Sequence, residues 1–182
     1  MDNIFATADQ HFSHKNIIQY ESRPFQNIDE MDKFMIRAWN EVVPRVGTVF
    51  HLGDVSFTSK NLTQYIISQL NGNKILIRGN HDRGRSKQWF LDVGFKEVID
   101  YPIIFEEFFI LSHEPVYLNA TMPYCNLHGH LHHKTLSGAG YYNVGVDVRD
   151  YKPVSFEEIR GVFVKKSCVF VKKSDDLEAE NG

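Results

Sequence analysis

The sequence predicts a layered α/β domain, and three observations support this prediction. Short apolar runs typical of buried strands alternate with segments whose apolar residues recur at helical spacing. Further strand-like runs follow in the second half of the chain. A length of 182 residues fits one domain that can bury a core without disulfides or a structural metal. This order of elements favours helices layered against a sheet.

Three strands and three helices are predicted in the first half of the chain. The strands are the apolar runs Ile4–Ala8, Thr48–Leu52 and Lys74–Arg78. The first helix is predicted to begin after Asn27, which has Glu30 three residues on, as in a capping box. Helical spacing predicts a second helix over Asn61–Leu70. A third is predicted over Ser86–Val93, with Gly94 as its stop.

The second half of the chain is predicted to be rich in strands. A hairpin is predicted from Val98–Phe105 and Phe108–Leu111, which flank the acidic pair Glu106-Glu107. The other predicted strands are Asn126–His128, Tyr142–Val146 and Cys168–Val171. A further helix is predicted over Ser155–Val162, again from a capping-box pattern.

Composition and charge indicate an ordinary cytoplasmic protein. The net charge of -3 gives no strong field that would attract a membrane or long nucleic acid. Cys125 and Cys168 have neither metal-ligand spacing nor a disulfide framework, which predicts two reduced thiols. The N-terminus lacks a signal-peptide pattern, and no apolar run approaches the roughly 20 residues that span a bilayer. We expect a single domain over residues 1–173 and a disordered acidic tail over residues 174–182.

Polar residues suited to metal binding follow five of the predicted strands. These groups are Asp9-Gln10-His11, Gly53-Asp54, Gly79-Asn80-His81-Asp82, Ser112-His113 and Gly129-His130-Leu131-His132. In layered α/β folds, ligands gather at the carboxyl ends of strands. Each group alone is a weak signal, because an Asp after a strand is common and a lone His is more often a satisfied polar group. Five groups in series, three of them marked by a glycine that lets the backbone turn sharply, predict one shared site.

The candidate ligands offer oxygen and nitrogen atoms but no thiolate. That combination excludes a structural zinc site of the cysteine type and suits manganese, iron, nickel or zinc in a catalytic site. The number of ligands fits two ions, because two-metal hydrolases hold ions about 3.5–4 Å apart with a bridging ligand between them. We therefore expect two divalent transition-metal ions, with manganese as the first choice.

The motifs D-x-H, G-D, G-N-H-D, H and G-H-x-H, in this order, resemble those of the calcineurin-like metallophosphoesterases. The resemblance runs from Asp9 to His132, and its opening segment resembles a small bacterial and phage branch of predicted phosphoesterases. It implies a two-sheet β-sandwich flanked by helices. The ligands that it implies are Asp9, His11 and His132 for one ion, Asn80, His113 and His130 for a second ion, and Asp54 as the bridge between them.

The resemblance also implies a reaction, the hydrolysis of a phosphate ester by a hydroxide that two metal ions activate. His81 would not bind metal but would protonate the leaving group or stabilise its charge. Asp82, the next residue, is expected to orient His81. The expected substrate is a small phosphate ester or a nucleotide. A diester is favoured over a monoester because no dense Arg cluster is evident to neutralise a dianion.

Charged residues beside the motifs are candidates for substrate binding. Arg78 and Arg83 could grip phosphate, and His14 could face either the substrate or solvent. Arg85 and Lys134 are expected to belong to a solvated charged face instead.

Two more histidines are expected to support the site. His51 lies within a predicted strand and is expected to be a supporting or core residue. His128 alternates with His130 and His132, so an extended segment would place all three on one face. His128 is therefore expected to pack behind the ligands.

Two other classes of function remain open on the sequence. A non-catalytic binding module of the same fold would be expected to have lost ligands or His81, yet all of these residues are present. A nuclease acting on long nucleic acid is disfavoured, because the chain is mildly acidic and shows no added DNA-binding domain.

Overall fold

The computed structural model describes residues 3–119, 121–138 and 140–163. Within these ranges the strands are β1 (Ile4–Thr7), β2 (Thr48–His51), β3 (Asn73–Ile77), β4 (Glu97–Ile99), β5 (Ile103–Phe105), β6 (Phe109–Leu111), β7 (Cys125–His128), β8 (Tyr141–Asn143) and β9 (Val154–Ser155). The α-helices are α1 (Ile17–Tyr20), α2 (Ile28–Val42), α3 (Lys60–Gln69) and α4 (Lys87–Asp92), and residues 156–163 are also helical. Two short 3₁₀ turns cover Asn80–Asp82 and Val146–Val148. The predicted mixed α/β class is confirmed.

The strands form two sheets. The first sheet has the order β4-β3-β2-β1-β9, in which neighbouring strands are parallel except β1 and β9. The second sheet has the order β5-β6-β7-β8 and is antiparallel only between β5 and β6. Parallel strands send their carboxyl ends the same way, so each sheet presents one edge at which polar loop residues can gather.

Apolar side chains cover one face of the first sheet beneath the helices. Phe5, Val49 and Leu76 belong to a buried cluster with Trp39 of α2 and Ile67 of α3. Side chains alternate along a strand, so the residues next to these point to the opposite face. None of the helices within the described ranges is long and apolar enough to cross a membrane.

The opposite face of the first sheet packs against the second sheet. Ala6, Phe50 and Ile77 share a second buried cluster with Leu111 and Leu127. The helical residues 156–163 contribute to the same cluster, which closes the space between the sheets. The two sheets therefore lie face to face, with α2, α3 and α4 outside the first sheet.

Two helices begin where the capping patterns predict. Asn27 Oδ1 accepts a hydrogen bond from the Glu30 backbone N–H at 2.9 Å, and Ser155 Oγ accepts one from the Glu158 N–H at 3.1 Å. Each cap satisfies a backbone donor that the first helical turn leaves without an internal partner. In a capping box, the Glu30 carboxylate would accept a hydrogen bond from the Asn27 backbone N–H. Here it accepts one from the preceding residue, the Gln26 N–H, at 2.9 Å.

Two predicted strands are wrong in their extent. Val98–Phe105 is not one strand, because β4 joins the first sheet and β5 joins the second. The chain crosses between the sheets around Pro102, which has no backbone N–H to donate to a neighbouring strand. Tyr142–Val146 ends earlier than predicted, since Val146 already lies in a 3₁₀ turn. The predicted strand Cys168–Val171, the domain limit at residue 173 and the tail from residue 174 lie outside the described residues.

Candidate metal site

The five predicted groups come together at one end of the packed sheets. The residues that follow β1, β2 and β3 are Asp9, Asp54 and Asn80, and those that follow β6 and β7 are His113, His130 and His132. Because these strands are parallel neighbours within each sheet, their carboxyl ends carry the loops to the same edge. The site therefore lies between the two sheets, with side chains from both.

Asp9, His11 and His132 form a first group of potential metal ligands. One donor atom of each lies within 4.8 Å of the others. Asp9 Oδ1 and both ring nitrogens of His11 are buried and have no hydrogen-bond partner among the described residues. A buried polar atom without a partner typically costs about 1–3 kcal/mol. Asp9 Oδ1 and the one His11 nitrogen that carries a lone pair lie side by side and are suited to a bound cation.

A second group lies beside the first and centres on Asn80. Its Oδ1 atom is 2.8 Å from His113 Nε2 and 3.0 Å from His130 Nδ1, and these two nitrogens are 3.2 Å apart. His113 Nδ1 donates to the Leu52 carbonyl oxygen at 2.7 Å, so Nε2 presents a lone pair. The convergence of that lone pair with a second ring nitrogen and an amide oxygen suits a cation between them.

The Asp54 carboxylate lies between the two groups. Its Oδ2 atom is 3.6 Å from His11 Nε2 and 3.5 Å from His113 Nε2. Asp9, Asp54 and His113 also form a set whose donor atoms lie within 4.8 Å of one another. Asp54 Oδ1 accepts a hydrogen bond from the His81 backbone N–H at 3.0 Å. One oxygen is thus fixed by the backbone while the other faces both groups.

A buried ion pair holds His132 in place. His132 Nδ1 donates to Asp147 Oδ2 at 2.7 Å, which leaves Nε2 for another ligand. Asp147 accepts two hydrogen bonds from Arg23, at 2.8 Å from Nε and 3.0 Å from Nη2. The same guanidinium donates to the backbone carbonyls of Asp9 at 2.7 Å and Gln10 at 2.8 Å. Arg23 therefore ties the loop of Asp9 to the loop of His132.

Burial sets the protonation of these groups in the metal-free protein. It raises the pKa of Asp9 well above its ordinary value, and the charge of Asp54 adds to the effect. Burial also raises the pKa of Asp54 to about 7, with Asp82 as the second cause. Burial lowers the pKa of His113 to about 4 and that of His11 well below its ordinary value. Neutral imidazoles can bind a cation directly, and a cation would offset the repulsion between the carboxylates.

Five of the predicted ligands have a left-handed backbone. The φ angles are 62° for Asp9, 51° for His11, 59° for Asp54, 68° for His130 and 50° for His132. For residues other than glycine, this region costs of the order of 1–3 kcal/mol each. Such strain clusters at functional sites because the surrounding structure must maintain it.

Two of the three marked glycines make room for carboxylates. A Cβ atom on Gly79 would lie 2.2 Å from Asp54 Oδ1, and one on Gly129 would lie 2.5 Å from Asp9 Oδ2. Of the three, Gly53 has the predicted left-handed turn, with φ of 93°. Close approach explains all three glycines, since a Cβ on Gly53 would lie 2.4 Å from the Gly79 nitrogen, and a sharp left-handed turn explains only Gly53.

His81 lies at the mouth of the site and Asp82 lies beneath it. The His81 side chain is 49% exposed, and its Nε2 atom is 4.0 Å from Asp54 Oδ2. The buried Asp82 carboxylate accepts hydrogen bonds from the backbone N–H groups of Asp54 at 2.7 Å, Gly79 at 2.9 Å and Val55 at 3.2 Å. Asp82 thus fixes the loops that carry the ligands, and its orientation of the His81 ring stays a prediction.

The two arginines predicted to bind phosphate have different surroundings. The Arg78 guanidinium is paired with Asp100 and donates to the Arg85 carbonyl oxygen at 2.6 Å. These partners fix the Arg78 side chain between two segments, and a role of Arg78 in substrate binding stays a prediction. Arg83 is 60% exposed at its side chain and donates to Glu114 at 2.8 Å. A role of Arg83 in substrate binding stays a prediction.

His14 lies on the site side of its loop and packs on a phenylalanine that the sequence analysis missed. Its ring centroid is 3.9 Å from that of Phe57 and 5.6 Å from that of His11. Phe57 also lies 5.0 Å from the His81 ring. The sequence signal for Phe57 was its position three residues after Asp54, within the loop that follows β2.

His128 does not share a face with the two histidines that follow it. Strand β7 ends at His128, and both His130 and His132 have left-handed backbones, so the alternation of an extended strand stops there. The His128 Nδ1 atom donates to the Gly129 carbonyl at 2.9 Å. His51 is fully buried in the first sheet, as expected of a core residue.

Two further arginines brace the loops of the site. Arg23 stands in no motif, and its partner Asp147 lies 124 positions away, so local sequence carries no signal for the pair. Arg85 was predicted to lie on a solvated face but donates to the backbone carbonyls of Ser56 at 2.8 Å and Thr58 at 2.9 Å. It therefore fixes the loop between Asp54 and α3.

The fold and the site together define a mixed α/β protein with a buried cluster of Asp, His and Asn side chains that could hold metal ions. No family model matches the chain. The uncharacterized protein MJ1445 of Methanocaldococcus jannaschii is 36% identical over 182 residues, which cover 93% of this chain and 96% of that protein. This chain belongs to the same family as MJ1445. The Gene 66 protein of Mycobacterium phage L5 is 35% identical over 85 residues, which cover 45% of this chain and 41% of that protein.

Two solved structures resemble this protein. The protein of unknown function AQ665 from Aquifex aeolicus has a TM-score of 0.67 and 27% identity, over 87% of this chain and 98% of that chain. The nuclease MPE of Pseudomonas putida has a TM-score of 0.50 and 23% identity, over 72% of this chain and 61% of that chain. At that identity, the likeness to the nuclease concerns the fold alone.

Proposed function

We propose that this protein is a metal-dependent phosphoesterase whose substrate is a phosphate diester of a small or nucleotide-type molecule. The observation that carries the proposal is the position of Asp54 Oδ2, which lies 3.6 Å from His11 Nε2 and 3.5 Å from His113 Nε2. A carboxylate shared by two groups of buried donor atoms is the arrangement that two neighbouring cations require.

The donor set fits two transition-metal ions. The residues that would hold one ion are Asp9, His11 and His132, those that would hold the second are Asn80, His113 and His130, and Asp54 would be shared. Asp9 Oδ1 and the His11 nitrogens are buried without hydrogen-bond partners in the described part of the chain, as expected of ligands. Oxygen and nitrogen donors without thiolate suit manganese, and also iron, nickel or zinc. When bound, the ions offset phosphate charge and lower the pKa of a water from about 15.7 toward 7.

The residues of the chain orient the substrate and move the proton. His81 stands exposed at the mouth of the site, with Nε2 4.0 Å from Asp54 Oδ2, where it can reach a leaving group. We assign to His81 the donation of a proton to the leaving oxygen. Asp82 keeps the loops of Asp54 and Gly79 in place through three backbone hydrogen bonds. Arg83 is exposed beside the site and is proposed to hold a phosphate oxygen.

Cleavage of nucleic acid is a second candidate function. The fold similarity to the nuclease MPE favours it, whereas the net charge of -3 favours a smaller substrate. Incubation with single- and double-stranded DNA separates the two candidates. Turnover of DNA comparable with that of a small diester would favour the nuclease.

A screen of metals against substrates tests the proposal. The metal-stripped protein would be supplied with manganese, iron, nickel or zinc and assayed on bis-ester and mono-ester chromogenic phosphates, cyclic nucleotides and dinucleotides. We expect metal-dependent hydrolysis with a preference for diesters. Preferential turnover of monoesters would redirect the proposal to a phosphomonoesterase. Metal binding without hydrolysis of any ester would instead identify a binding module.

Substitution of His81 tests the assigned proton donor. His81→Ala should leave manganese affinity unchanged and lower turnover by roughly 10²–10⁴-fold, as for a lost general acid. Isothermal titration measures the first quantity and steady-state kinetics the second. His133→Ala is a matched control, because His133 is also exposed and its ring donates a hydrogen bond to the Glu21 carbonyl oxygen at 2.9 Å. Normal turnover of His81→Ala would remove His81 from the mechanism.

A further inference from the structure

An aromatic ring stands at the mouth of the proposed metal centre. Phe57 follows Asp54 by three residues and is 36% exposed. Its ring lies 3.9 Å from that of His14, with 13° between the two planes. It is 5.2 Å from the His11 ring and 5.0 Å from the His81 ring. Phe57 therefore borders both a proposed metal ligand and the proposed proton donor.

The backbone around Phe57 is fixed on both sides. Arg85 donates to the carbonyl of Ser56 at 2.8 Å and to that of Thr58 at 2.9 Å. The Phe57 N–H donates to the Phe12 carbonyl at 2.9 Å. These bonds fix the backbone on both sides of the ring, and the residue stays 36% exposed. The Phe57 ring therefore lies beside the proposed metal site with part of its surface open to a ligand.

We infer that Phe57 and His14 form a stacking subsite for the planar base of a nucleotide substrate. The inference rests on the proposed phosphoesterase function and names the substrate class for it. The phosphate would occupy the metal centre, and the base would lie against the aromatic pair. Base–aromatic stacking is tolerant of base identity, because every base has a π-face.

The shape of the surface favours a planar group over an aliphatic one. A flexible apolar chain needs a deep groove, whereas Phe57 and His14 are stacked face to face, so a planar group could continue the stack on the outer, partly exposed side of the pair. Tyr20, which is 68% exposed, lies edge-on to His14 at 6.3 Å between ring centroids. The aromatic surface thus continues from Phe57 through His14 to Tyr20.

Two ligands that differ by a base test the inference. Isothermal titration of the manganese-loaded full chain would give dissociation constants for adenosine 5′-monophosphate and for ribose 5-phosphate. We expect the nucleotide to bind roughly 10-fold tighter or more, within the range measured for stacking on an aromatic residue. Phe57→Ala should abolish that ratio while leaving the affinity for ribose 5-phosphate and for manganese unchanged. Phe57→Trp should keep the ratio.

The controls separate this inference from the proposed function. Phe108→Ala removes a phenylalanine of nearly equal exposure, 37%. Phe108 directly precedes β6, whereas the proposed ligand His113 follows that strand, so this variant should leave the ratio of affinities unchanged. Equal affinities of the two ligands for the wild-type protein would overturn the subsite but leave the phosphoesterase proposal standing. If the Phe57→Ala variant binds neither ligand, Phe57 has a structural role, and the subsite would also be overturned. Failure of both ligands to bind the wild-type protein would overturn the subsite, whereas absence of diester hydrolysis in the screen of metals and substrates would overturn the phosphoesterase proposal.

Discussion

The two sheets contribute different chemistry to one site. The first sheet supplies oxygen donors from Asp9, Asp54 and Asn80, with the single imidazole of His11. The second sheet supplies only imidazoles, from His113, His130 and His132. Carboxylates carry the charge that would balance two cations, and neutral imidazoles add ligands without adding charge. Neither sheet alone offers the full set, so the site exists only where the sheets pack together.

Each sheet also orients ligands of the other. The Leu52 carbonyl, at the end of β2, accepts the His113 Nδ1–H at 2.7 Å and so selects the ring tautomer. In return, the His130 backbone N–H donates to Asp9 Oδ2 at 2.9 Å. The geometry of the site therefore depends on the packing of the sheets as well as on the ligands.

The largest expected effect follows from replacing Asp54, whose Oδ2 atom faces both groups of proposed metal ligands. Asp54→Asn should weaken the binding of both ions and lower turnover by at least roughly 10³-fold, because the metals supply the nucleophile. Metal stoichiometry by elemental analysis and steady-state kinetics would measure this. Asp100→Asn is a matched control, since Asp100 also follows a strand of the first sheet but pairs with Arg78 and Lys87. An Asp54→Asn variant with two tightly bound ions would contradict the shared role.

The pH dependence of stability reports on the first sheet, because both proposed carboxylate ligands, Asp9 and Asp54, follow its strands. Burial raises the folded-state pKa of Asp54 to about 7, so between about pH 4 and pH 7 the folded state binds more protons than the unfolded state. Without metal, the stability of the wild type relative to Asp54→Asn should fall as pH rises through this window. Each pKa unit is worth about 1.4 kcal/mol, which sets an upper limit of about 4 kcal/mol.

Urea unfolding of both proteins in a chelator, at about pH 5 and about pH 8, measures this difference. Added manganese should cancel it in the wild type, because the cation offsets the buried charge. A stability difference that stays constant across the two pH values would show that Asp54 titrates normally.

Weakening the contact between the sheets should disturb the site indirectly. Leu111→Ala in the core between the sheets should cost about 2–5 kcal/mol of unfolding free energy and also lower manganese affinity. Leu76→Ala, on the helix-covered face of the first sheet, should cost a similar amount but leave manganese affinity nearly unchanged. Both leucines are fully buried, so the pair is matched for burial. Equal effects of the two substitutions on manganese affinity would contradict the proposal that the geometry of the site depends on the packing between the sheets.

The smallest expected effect concerns the support of a second-sheet imidazole. Asp147→Asn should lower manganese affinity by about 10–100-fold, as for a residue that orients a metal-binding His. Isothermal titration of the folded variant measures this, with Asp150→Asn as an exposed control three residues away. An unchanged affinity would mean that His132 needs no support from the Arg23–Asp147 pair.

The strand ends of the first sheet could be predicted from the sequence because their signals are local. Apolar runs such as Thr48–Leu52 end at a glycine or an Asp, and periodicity locates them without knowledge of the fold. The convergence of Asp9, Asp54 and Asn80 then follows from the parallel order of the strands. The prediction of that part of the site required only the alternation of strands and helices along the sequence.

Contacts between distant segments could not be predicted in the same way. Arg23 reaches Asp147 across 124 positions, and nothing around either residue marks the pair. The division of Val98–Phe105 between the sheets depends on which strand each half pairs with, which local apolarity does not encode. Whether His130 shares a face with His128 depends on the left-handed backbone at His130, which the histidine spacing alone does not reveal.

The left-handed backbone of the proposed ligands predicts which residues would replace them in relatives that have lost metal binding. A glycine adopts this conformation at least cost and an asparagine at moderate cost, whereas alanine and β-branched residues are penalised. A relative released from metal binding would keep the turns and lose the need for the donor atoms. We therefore expect glycine or asparagine, not a random assortment, at its positions equivalent to Asp9, His11, Asp54, His130 and His132. The substitutions at these five positions would then reveal from sequence which relatives have lost the chemistry.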